Sequence, residues 1–572
     1  MNSSITFVSS FFYIYDKDYD EQKSINWRIE RFREIAETGI KICIYTCPTF
    51  EKYIKDLETE FPENVKWMKT MNIDATIIGK YLKKQSYFYL PAQRNETKDI
   101  NDYLIIINSK TEFMADTIER NPWNSTHFAW MDFNISHVFF EKDKSLMMLR
   151  SLSKRTFKKS CFVIPGCWEK FNNEYIVHVS ETIFWRFCGG FFLGDAESIL
   201  EFHKLYTFYF PKFIQKYQKL IWEVNFWAWL EVNSDWEPQW YKGDHNDTIL
   251  LVPPENFSQI LMENGGNQSR YDYVDIPGYT PSSASNVYYK GQYFLNTRYV
   301  NYLYYPDGSY MFPDGTNVIR SKNILSELFL EENSSGENIL VPDNYIEMNE
   351  SITLPESNFY ARNIEDIRLY VINDTIKFIG TTVGYHTTGG NRMIIGKYDI
   401  NACEYFDGYI VEPPTNTWCE KNWIPLINKE GDEHFIYRWE PLEIGKVVYD
   451  TETNIHQLQI VTTFHETKYV PFFHKMRGST PFISTANGLV GVVHFSEDTK
   501  PRHYFHMLVL LDKNNFQPLK YSEPFVFEQV AIEFCIGFDI RNDKYCFWIS
   551  RFDSSPLLVY IDIDKIPFAN IF

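Results

Sequence analysis

The opening of the chain reads SITFVSSFFYIY (4–15), WRIERFREIAETGI (27–40) and KICIYTC (41–47), and this stretch decides the fold of the first half. The apolar first and third segments predict strands, and the helical spacing of apolar residues in the second predicts a helix ending at Gly39. A strand–helix–strand order is typical of a βαβ unit with a parallel sheet. We therefore expect an α/β domain here.

Further along, the first 260 residues continue to mix helix and strand patterns. Residues 103–110 (YLIIINSK) fit either a short buried strand or the start of a helix. Residues 127–135 (HFAWMDFNI) predict the end of a strand, and residues 197–232 predict mostly helix.

After about residue 270, short apolar or aromatic runs alternate with turn residues, as in NDTIKFIGTT (373–382) and GLVGVVHF (488–495). This pattern predicts an all-β sandwich, barrel or propeller, and about 300 residues suit a five-bladed propeller. No strict sequence period sets the number of blades. We predict an α/β domain over 1–260, a linker over 261–275 and a β-propeller over 276–572.

The charge balance excludes one class of partner. The chain has 75 acidic and 56 basic residues, a net charge of −19, and no long basic block, so it is a poor nucleic-acid binder. Aromatic residues make up 18% of the chain, which suits core packing and also stacking on sugar rings.

The nine cysteines are dispersed without a CxxC pair, which favours reduced thiols. The N-terminus lacks a basic region before its apolar run, which does not fit a signal peptide. The sequence has no run of about 18 apolar residues, so we expect no membrane-spanning helix. We expect a cytoplasmic protein.

Asp132 and Asn134 follow the apolar segment HFAWM. In an extended segment, residues two apart point to the same face, at a sheet edge where α/β folds bind ligands. Their oxygens suit Mn²⁺ or Mg²⁺, and such an ion neutralises a nucleotide diphosphate. A polar turn after a strand is the simpler alternative.

Three further segments carry chemistry. Gly189 and Gly190 allow close backbone approach to a ligand, Glu223 lies on an otherwise apolar helix, and His245 follows Asp244. Each also has an ordinary interpretation: a turn, the wet edge of a helix, and a structural histidine.

The blocks NPWNSTHFAWMDF (121–133), CGGFFLGD (188–195), WEVNFWAWLE (222–231) and WYKGDH (240–245) resemble the HtrL/YibB family of bacterial glycosyltransferase-like proteins. The resemblance covers about residues 3–255. That family is similar to GT-A glycosyltransferases, which have a Rossmann-like sheet, an Asp-x-Asp-type metal site and a nucleotide-sugar donor.

By this resemblance, Asp132 binds the metal and diphosphate, and His245 is a later metal or diphosphate ligand. Lys110 would contact the diphosphate and Glu223 would lie in the acceptor or catalytic region, while Gly189 and Gly190 would line the sugar pocket. Asn134 departs from the family, which often has glycine there, so its role as a metal ligand stays open.

In the second half, RNIEDIRLYVIND (362–374) places Asp366 and Arg368 on one face of a predicted strand, beside Glu365. A carboxyl group next to an arginine suits an acid and an anion clamp in glycosyl chemistry. A structural salt bridge is the alternative.

Later blocks resemble the five-bladed propeller of glycoside hydrolase family 130 and related β-mannosyltransferases, over about residues 275–572. They are RYVNY (298–302), EKNWIPL (420–426), FIYRWEP (435–441), GSTPFISTANGLVGVVHF (478–495), residues 504–527 and IEFCIGF (532–538). The resemblance implies that Asp366 is the general acid. It also implies a central pocket that holds phosphate or a sugar phosphate, lined by Arg298, Arg368, Lys421, Arg438 and His494.

Two departures leave that activity open. Ile367 stands where the family commonly has proline, and Val493-His494-Phe495 stands where it has Tyr-His-Gly.

Together these patterns and resemblances predict a metal-dependent glycosyltransferase that moves a sugar from a UDP- or GDP-sugar to a glycan or glycoprotein acceptor. Its C-terminal propeller would bind glycans or also process them, which would make the protein bifunctional, and a homodimer stays open. Two alternatives stay open: a glycan-binding protein with an inactive transferase-like domain, and a mannoside phosphorylase or hydrolase acting through the propeller.

Overall fold

The structure, a computed structural model, describes residues 5–14, 24–172, 175–332, 338–357 and 359–571. The chain divides into two units, Met1–Phe257 and Ser258–Phe572. The first is mixed α/β and the second is all-β, which confirms the predicted α/β and all-β character of the two halves. Tyr15, the last residue of the predicted opening strand, lies outside the described residues.

The described part of the first unit has seven strands and eight helices. The strands are β1 (Ile5–Phe11), β2 (Ile42–Thr46), β3 (Val65–Thr70), β4 (His127–Met131), β5 (Phe162–Gly166), β6 (Phe191–Asp195) and β7 (Gln239–Lys242). The helices are α1 (Ile25–Ala36), α2 (Glu51–Glu60), α3 (Ile77–Leu82), α4 (Asn101–Asn108), α5 (Lys110–Arg120), α6 (Lys142–Ser153), α7 (Ala196–Tyr217) and α8 (Glu223–Asn233).

The predicted opening βαβ unit is confirmed as β1, α1 and β2. Ser24 caps α1 by accepting a hydrogen bond from the Trp27 amide at 3.2 Å, which satisfies one of the free N–H groups at the helix start. Residues 101–108 form α4, so the helical interpretation of that segment holds and the strand does not. The long helical stretch is two helices, because Gln218 adopts a left-handed conformation after α7.

The sheet order β3-β2-β1-β4-β6-β5-β7 fixes where a site can form. Strands β1 to β4 run parallel, β6 runs antiparallel to β4 and β5, and β7 is parallel to β5. The carboxyl ends of β4, β5 and β7 and the start of β6 therefore meet at one edge. The order reverses between β1 and β4, the switch point at which open α/β sheets bind ligands.

The second unit begins with β8 (Gln259–Ile260), β9 (Asn267–Arg270), β10 (Thr280–Tyr289), β11 (Gln292–Val300), β12 (Leu303–Tyr304), β13 (Tyr310–Met311), β14 (Ile319–Glu332), β15 (Asn338–Glu347), β16 (Asn349–Ser351), β17 (Ala361–Arg362), β18 (Glu365–Ile372), β19 (Thr375–Thr382), β20 (Arg392–Asp399) and β21 (Glu404–Glu412). It continues with β22 (Ile424–Ile427), β23 (Glu433–Trp439), β24 (Leu442–Asp450), β25 (Ile455–Phe464), β26 (Arg477–Gly478), β27 (Ile483–Thr485), β28 (Gly488–Glu497), β29 (His503–Leu511), β30 (Pro518–Ser522), β31 (Phe525–Val526), β32 (Glu533–Arg541), β33 (Lys544–Arg551), β34 (Ser554–Asp562) and β35 (Phe568–Asn570).

The longer strands form five antiparallel groups in succession, as the propeller prediction requires. They are β10-β11-β14-β15, β18-β19-β20-β21, β25-β24-β23-β22, β26-β28-β29-β30-β35 and β32-β33-β34-β9. We refer to them as the first to fifth strand groups. Strand β9, from the start of the unit, completes the fifth group by pairing with β34. The segment 261–275, expected as a linker, is thus part of this unit.

Aromatic residues fill the interior of the first unit. Trp227 of α8 is fully buried and contacts Phe192 and Phe202 edge-on, with ring centroids 5.6 Å and 5.9 Å away. Across the described ranges, no helix has both the length and the apolar character that crossing a membrane requires.

Candidate active site

A polar cavity of about 1120 Å³ lies in the second unit. All five strand groups, or the loops beside them, contribute to its lining, including Arg298, Tyr302, Glu365, Asp366, Lys421, Arg438, Arg477, His494, Phe534 and Asp553. We call this cavity the central pocket. It brings together Asp366 and four of the five residues predicted to surround it.

Asp366 lies at an irregularity of β18. The register against β19 shifts between Glu365 and Arg368, and Asp366 has a left-handed φ of 52°. Aspartate tolerates this conformation better than most residues. The regular strand that the sequence predicted for Asp366 and Arg368 is therefore broken at this point, so simple alternation does not set their relative orientation.

Arg298 of β11 holds Asp366 in place. Its Nη1 donates a hydrogen bond to Asp366 Oδ1 at 2.8 Å, and its Nε donates to Ser321 Oγ at 2.9 Å. Its Nη2 lies 3.5 Å from Glu365 Oε2 without making a hydrogen bond to any described residue. Nη2 is therefore a buried donor whose nearest acidic partner is the Glu365 carboxylate.

Asp553 is a second carboxyl group in the central pocket, and the sequence did not single it out. It lies in the two-residue turn between β33 and β34, where Phe552 and Asp553 have φ values of 49° and 46°. Positive φ at both turn residues suits the right-handed twist of a hairpin. Asp553 Oδ2 accepts hydrogen bonds from the hydroxyls of Tyr302 (2.7 Å) and Tyr304 (3.1 Å).

The two carboxyl groups have different proton affinities. Burial raises the pKa of Asp553, and the Asp366 charge adds to this, against the opposing effects of Arg298 and the tyrosine hydroxyls. Burial also acts to raise the pKa of Asp366, but Arg298, Arg368 and Lys421 together hold it below its ordinary value. Environments that separate two carboxyl pKa values are typical of acid and base pairs in enzymes.

Lys421, Arg438 and His494 line the central pocket as predicted. Lys421 Nζ lies 3.7 Å from Glu365 Oε2, and this carboxylate raises the pKa of Lys421. The Arg438 guanidinium lies 5.4 Å from the centroid of the Tyr437 ring. Burial lowers the pKa of His494, whose Nδ1 hydrogen-bonds to Ser479 Oγ at 2.8 Å, so its imidazole is neutral at pH 7.

Arg368 was predicted to line the pocket, and this is wrong. Its side chain is fully buried and is absent from the lining. Its nitrogens donate to the carbonyl of Ser479 (2.5 Å), to Asn422 Oδ1 (2.8 Å) and to the carbonyl of Asp366 (3.0 Å). Arg368 therefore fixes the wall behind the pocket.

In the first unit, three predicted site residues form one ionic cluster at the sheet edge. Lys110 Nζ lies 2.8 Å from Glu223 Oε1 and 3.1 Å from Asp132 Oδ1, and it donates to the carbonyl of Gly189 at 2.8 Å. Despite burial, the Asp132 and Glu223 charges raise the pKa of Lys110, which stays charged. Burial raises the pKa of Glu223, with Lys110 opposing it.

This geometry changes two predicted roles. Lys110 and Glu223 are 4% and 5% exposed. Lys110 therefore bonds only groups inside the protein and does not face a diphosphate. Glu223 is equally enclosed and does not reach an acceptor directly. Asp132, whose side chain is 48% exposed, is the member of the cluster that a ligand can contact.

Gly189 and Gly190 give this cluster its space. A Cβ on Gly189 would lie 2.3 Å from Glu223 Oε1, and a Cβ on Gly190 would lie 3.7 Å from Asp132 Oδ2. The Gly190 carbonyl also accepts a hydrogen bond from the Asp132 amide at 3.0 Å. The close approach that these glycines permit is to carboxylates of the chain itself.

The predicted metal ligands Asp132, Asn134 and His245 each have a polar partner among the described residues. Beyond Met131 the backbone leaves the strand and Asn134 begins a 3-10 turn, so the two-residue alternation does not apply. With its amide oriented to suit its neighbours, Asn134 bonds Arg28 Nη1 (2.9 Å) and the Arg28 carbonyl (3.1 Å). Arg28 therefore occupies the Asn134 amide, and the manganese or magnesium site at Asp132 and His245 stays a prediction.

His245 lies instead at the end of β7, beside two cysteines. Its ligand nitrogen and the sulfurs of Cys167 and Cys188 lie within 4.8 Å of one another. Neither cysteine was predicted as a ligand, because the chain separates them by 21 residues and no CxxC spacing marks them.

A further cavity of about 480 Å³ lies in the first unit, beside α5. It is lined by residues such as Tyr45, Glu112, Asp116 and His203, and among the described residues its lining includes none of the predicted donor-site residues.

Comparison with known proteins gives one family match. Residues 3–221 match the model of HtrL_YibB, described as a bacterial protein of unknown function. The match confirms that part of the predicted resemblance, and the GT-A likeness stays a prediction. No curated protein matches the chain.

Several solved structures are similar to about half of the chain. A β-1,2-mannobiose phosphorylase from Listeria innocua is 16% identical, with 52% of this chain and 98% of that chain covered and a TM-score of 0.34. A mannose phosphorylase from Leishmania mexicana is 14% identical, with 53% of this chain and 91% of that chain covered and a TM-score of 0.32. A glycosyl hydrolase from Bacteroides ovatus is 13% identical, with 54% of this chain and 97% of that chain covered and a TM-score of 0.35. All three TM-scores are below 0.5.

Proposed function

We propose that the central pocket of the second unit binds a glycoside and cleaves its glycosidic bond, with inorganic phosphate as the attacking group. The observation that carries this proposal is the pair of carboxyl groups, Asp366 and Asp553, whose pKa values are shifted in opposite directions around the buried Arg298. Glycosidic bond cleavage needs one protonated and one ionised carboxyl group.

In this proposal Asp553 is the proton donor. Its raised pKa keeps it protonated at a higher pH than an ordinary aspartate, so it can protonate the leaving oxygen as the glycosidic C–O bond breaks. Asp366 stays ionised and faces the positive charge that develops on the sugar ring. Sequence resemblance had assigned the acid role to Asp366, and its lowered pKa favours the exchanged assignment.

Cations of the central pocket would hold the phosphate. Arg438 and Arg477 line the pocket, and Arg298 Nη2 has no hydrogen-bond acceptor among the described residues. Guanidinium groups bind phosphate oxygens through paired, charge-assisted hydrogen bonds. A phosphate oxygen then attacks the sugar carbon that loses its glycosidic oxygen, and the products are a sugar phosphate and the protonated leaving group.

The test is cleavage of β-linked manno-oligosaccharides by the full chain, with and without inorganic phosphate, followed by detection of free sugar and sugar phosphate. We expect phosphate-dependent release of sugar phosphate, and its loss in Asp366→Asn and in Asp553→Asn. Asp407→Asn is the matched control, because Asp407 is an exposed residue paired with Lys397 outside the pocket.

Two outcomes would reject the proposal. Binding of these sugars without cleavage in either arm would favour a glycan-binding role, and cleavage at the wild-type rate by both pocket variants would remove the pair from the chemistry. Cleavage to free sugar without phosphate would instead indicate hydrolysis.

A second candidate function is transfer from a nucleotide sugar in the first unit. The observation that favours it is the position of Asp132, which lies at the carboxyl end of β4 next to β1, where the strand order reverses. Its Oδ2 lies 3.7 Å from the position that a Cβ on Gly190 would occupy. A cation that uses one carboxylate and the substrate phosphates would need no more from the chain.

Calorimetric titration with UDP- and GDP-sugars, each with and without Mn²⁺, tests this candidate. We expect binding that Asp132→Asn weakens and that Asp143→Asn, an exposed change in α6, leaves intact. Equal binding by the two variants would remove Asp132 from the donor site.

A further inference from the structure

The end of the first unit's sheet gathers two thiols, an imidazole and a carboxylate. Cys167 directly follows β5, Cys188 precedes β6 by three residues, and Asp244 and His245 follow β7. Because β6, β5 and β7 are neighbours in the sheet, these three connections meet at one edge. The arrangement is thus built by the strand order and not by sequence spacing.

Backbone hydrogen bonds hold these connections in place. The amide of Cys188 donates to the carbonyl of Pro165 at 2.8 Å, and the amide of Gly243 donates to the carbonyl of Gly166 at 2.9 Å. The His245 ring meets the Trp185 ring edge-on, with centroids 4.2 Å apart. Backbone hydrogen bonds between the strand ends and one ring contact therefore position these side chains.

The spacing of the ligand atoms matches a tetrahedral metal site. The sulfurs of Cys167 and Cys188 lie 3.8 Å apart. Two thiolates bound tetrahedrally to zinc at about 2.3 Å are separated by about 3.8 Å. A ring nitrogen of His245 lies within 4.8 Å of both sulfurs, so about 1 Å of side-chain movement completes the set.

Asp244 supports the imidazole. Its Oδ1 lies 3.2 Å from His245 Nδ1 and accepts a weak hydrogen bond from Cys167 Sγ at 3.4 Å. Carboxylates that bond a ligating histidine orient the ring and raise its basicity.

The three proposed ligands differ in burial, from the deeply buried Cys188 to the more exposed His245. Cys188 is 1% exposed, Cys167 is half-buried, and the His245 side chain is 41% exposed. An ion can therefore enter from the solvent side and meet the buried sulfur at the bottom. The exposed side leaves one coordination position open, as in zinc sites with three protein ligands.

We propose that Cys167, Cys188 and His245 bind a zinc ion, with Asp244 orienting the imidazole and the fourth position open to water or substrate. Thiolates select soft or borderline metals, whereas Mn²⁺ and Mg²⁺ prefer oxygen ligands. This site shares no ligand with the Asp132 cluster or with the central pocket.

The test is metal binding by the full chain, purified under reducing conditions and stripped with a chelator. On return of zinc followed by dialysis, elemental analysis should find about one bound zinc per chain. Co²⁺ in place of zinc should give the near-ultraviolet absorption of a thiolate-to-cobalt charge transfer, which reports sulfur ligation without any activity assay.

Cys167→Ser, Cys188→Ser and His245→Ala should each lose the zinc, and Asp244→Asn should bind it about 10- to 100-fold more weakly. Cys161→Ser and Cys419→Ser are the matched controls, a buried cysteine of the same sheet and an exposed cysteine elsewhere. Because His245 is half-exposed, His245→Ala should keep the wild-type circular dichroism spectrum and melting temperature of the stripped protein.

Three results would overturn the proposal. They are zinc binding by wild type no tighter than by Cys167→Ser and His245→Ala, a cobalt complex without the thiolate absorption, and zinc loss in the control variants. A Cys167–Cys188 disulfide found by mass spectrometry in a chain that binds no zinc when reduced would make the pair a redox couple instead.

Discussion

The hydroxyl of Tyr302 donates a hydrogen bond to Oδ2 of Asp553 at 2.7 Å, although 251 residues separate the two in sequence. Tyr302 follows β11 in the first strand group, and Asp553 lies in a turn of the fifth. The bond stabilises the ionised form of a carboxyl group whose pKa burial raises.

Tyr302→Phe should raise the pKa of Asp553 further, because it removes a donor to the charged form. A proton donor is active below its pKa, so the basic limb of the cleavage rate against pH should move upward. A hydrogen bond to a charged group contributes about 1.5–3 kcal/mol, which corresponds to a shift of about one to two pH units. Tyr288→Phe, an exposed change outside the pocket, should leave the limb in place. A downward shift in Tyr302→Phe would contradict the assignment of Asp553 as the acid.

Arg438→Ala and Arg477→Ala should each raise the KM for phosphate about tenfold or more, since each removes a charge-assisted hydrogen bond of about 1.5–3 kcal/mol. The KM for the glycoside should change much less. Steady-state rates with phosphate and glycoside varied separately give both values, and Lys429→Ala, which changes a cation outside the pocket lining, is the control. Equal effects on both KM values would indicate a general distortion of the pocket.

Lys110→Met should destabilise the first unit by about 3–5 kcal/mol, because it leaves Glu223 buried without its cation. Burial raises the folded-state pKa of Glu223. A carboxyl group with a raised folded pKa loses stability as pH rises from its unfolded pKa through its folded one. The deficit should therefore be larger at pH 8 than at pH 5.

Urea unfolding at both pH values measures this deficit. Lys110→Met/Glu223→Leu should recover most of the stability, and Lys52→Met, an exposed change in α2, should cost little. A deficit that grows toward low pH would exclude Glu223 as its source.

Gly189→Ala should destabilise the first unit more than Gly190→Ala. The Cβ of Gly189→Ala would meet Glu223 Oε1 at 2.3 Å and displace the carboxylate from Lys110. The Cβ of Gly190→Ala would meet the terminal Cδ1 of Ile135 at 3.0 Å, and an isoleucine end can shift. We expect about 1–3 kcal/mol for the first change and less for the second, from urea midpoints. The reverse order would show that the Lys110–Glu223 contact does not limit space at this position.

Local patterns predicted elements better than they predicted geometry. Apolar spacing identified β1, α1 and β2 because periodicity depends on which faces are buried. The same rule failed for Asp132 and Asn134, since the backbone turns after Met131 and residues two apart no longer share a face. At Asp366 a bulge broke the strand in the same way.

Residues that meet across the fold were the hardest to predict. Block order in the sequence identified Arg298, Lys421 and Arg438, all of which line the central pocket. Around Asp553 the sequence indicates only a turn between two strands. Its tyrosine partners lie about 250 positions earlier. Cys167 and Cys188 were likewise marked by no motif, because strand order alone brings them together.

Strand β9 (Asn267–Arg270), near the start of the second unit, pairs with β34 (Ser554–Asp562) near its end. During synthesis on a ribosome, this pairing cannot form until nearly three hundred further residues have been made. Until the last hairpin docks, the Tyr302 hydroxyl and the Asp553 carboxyl group bond water instead of each other. The raised pKa of Asp553 is therefore a property of the completed unit, because its causes lie in the packing around the last hairpin.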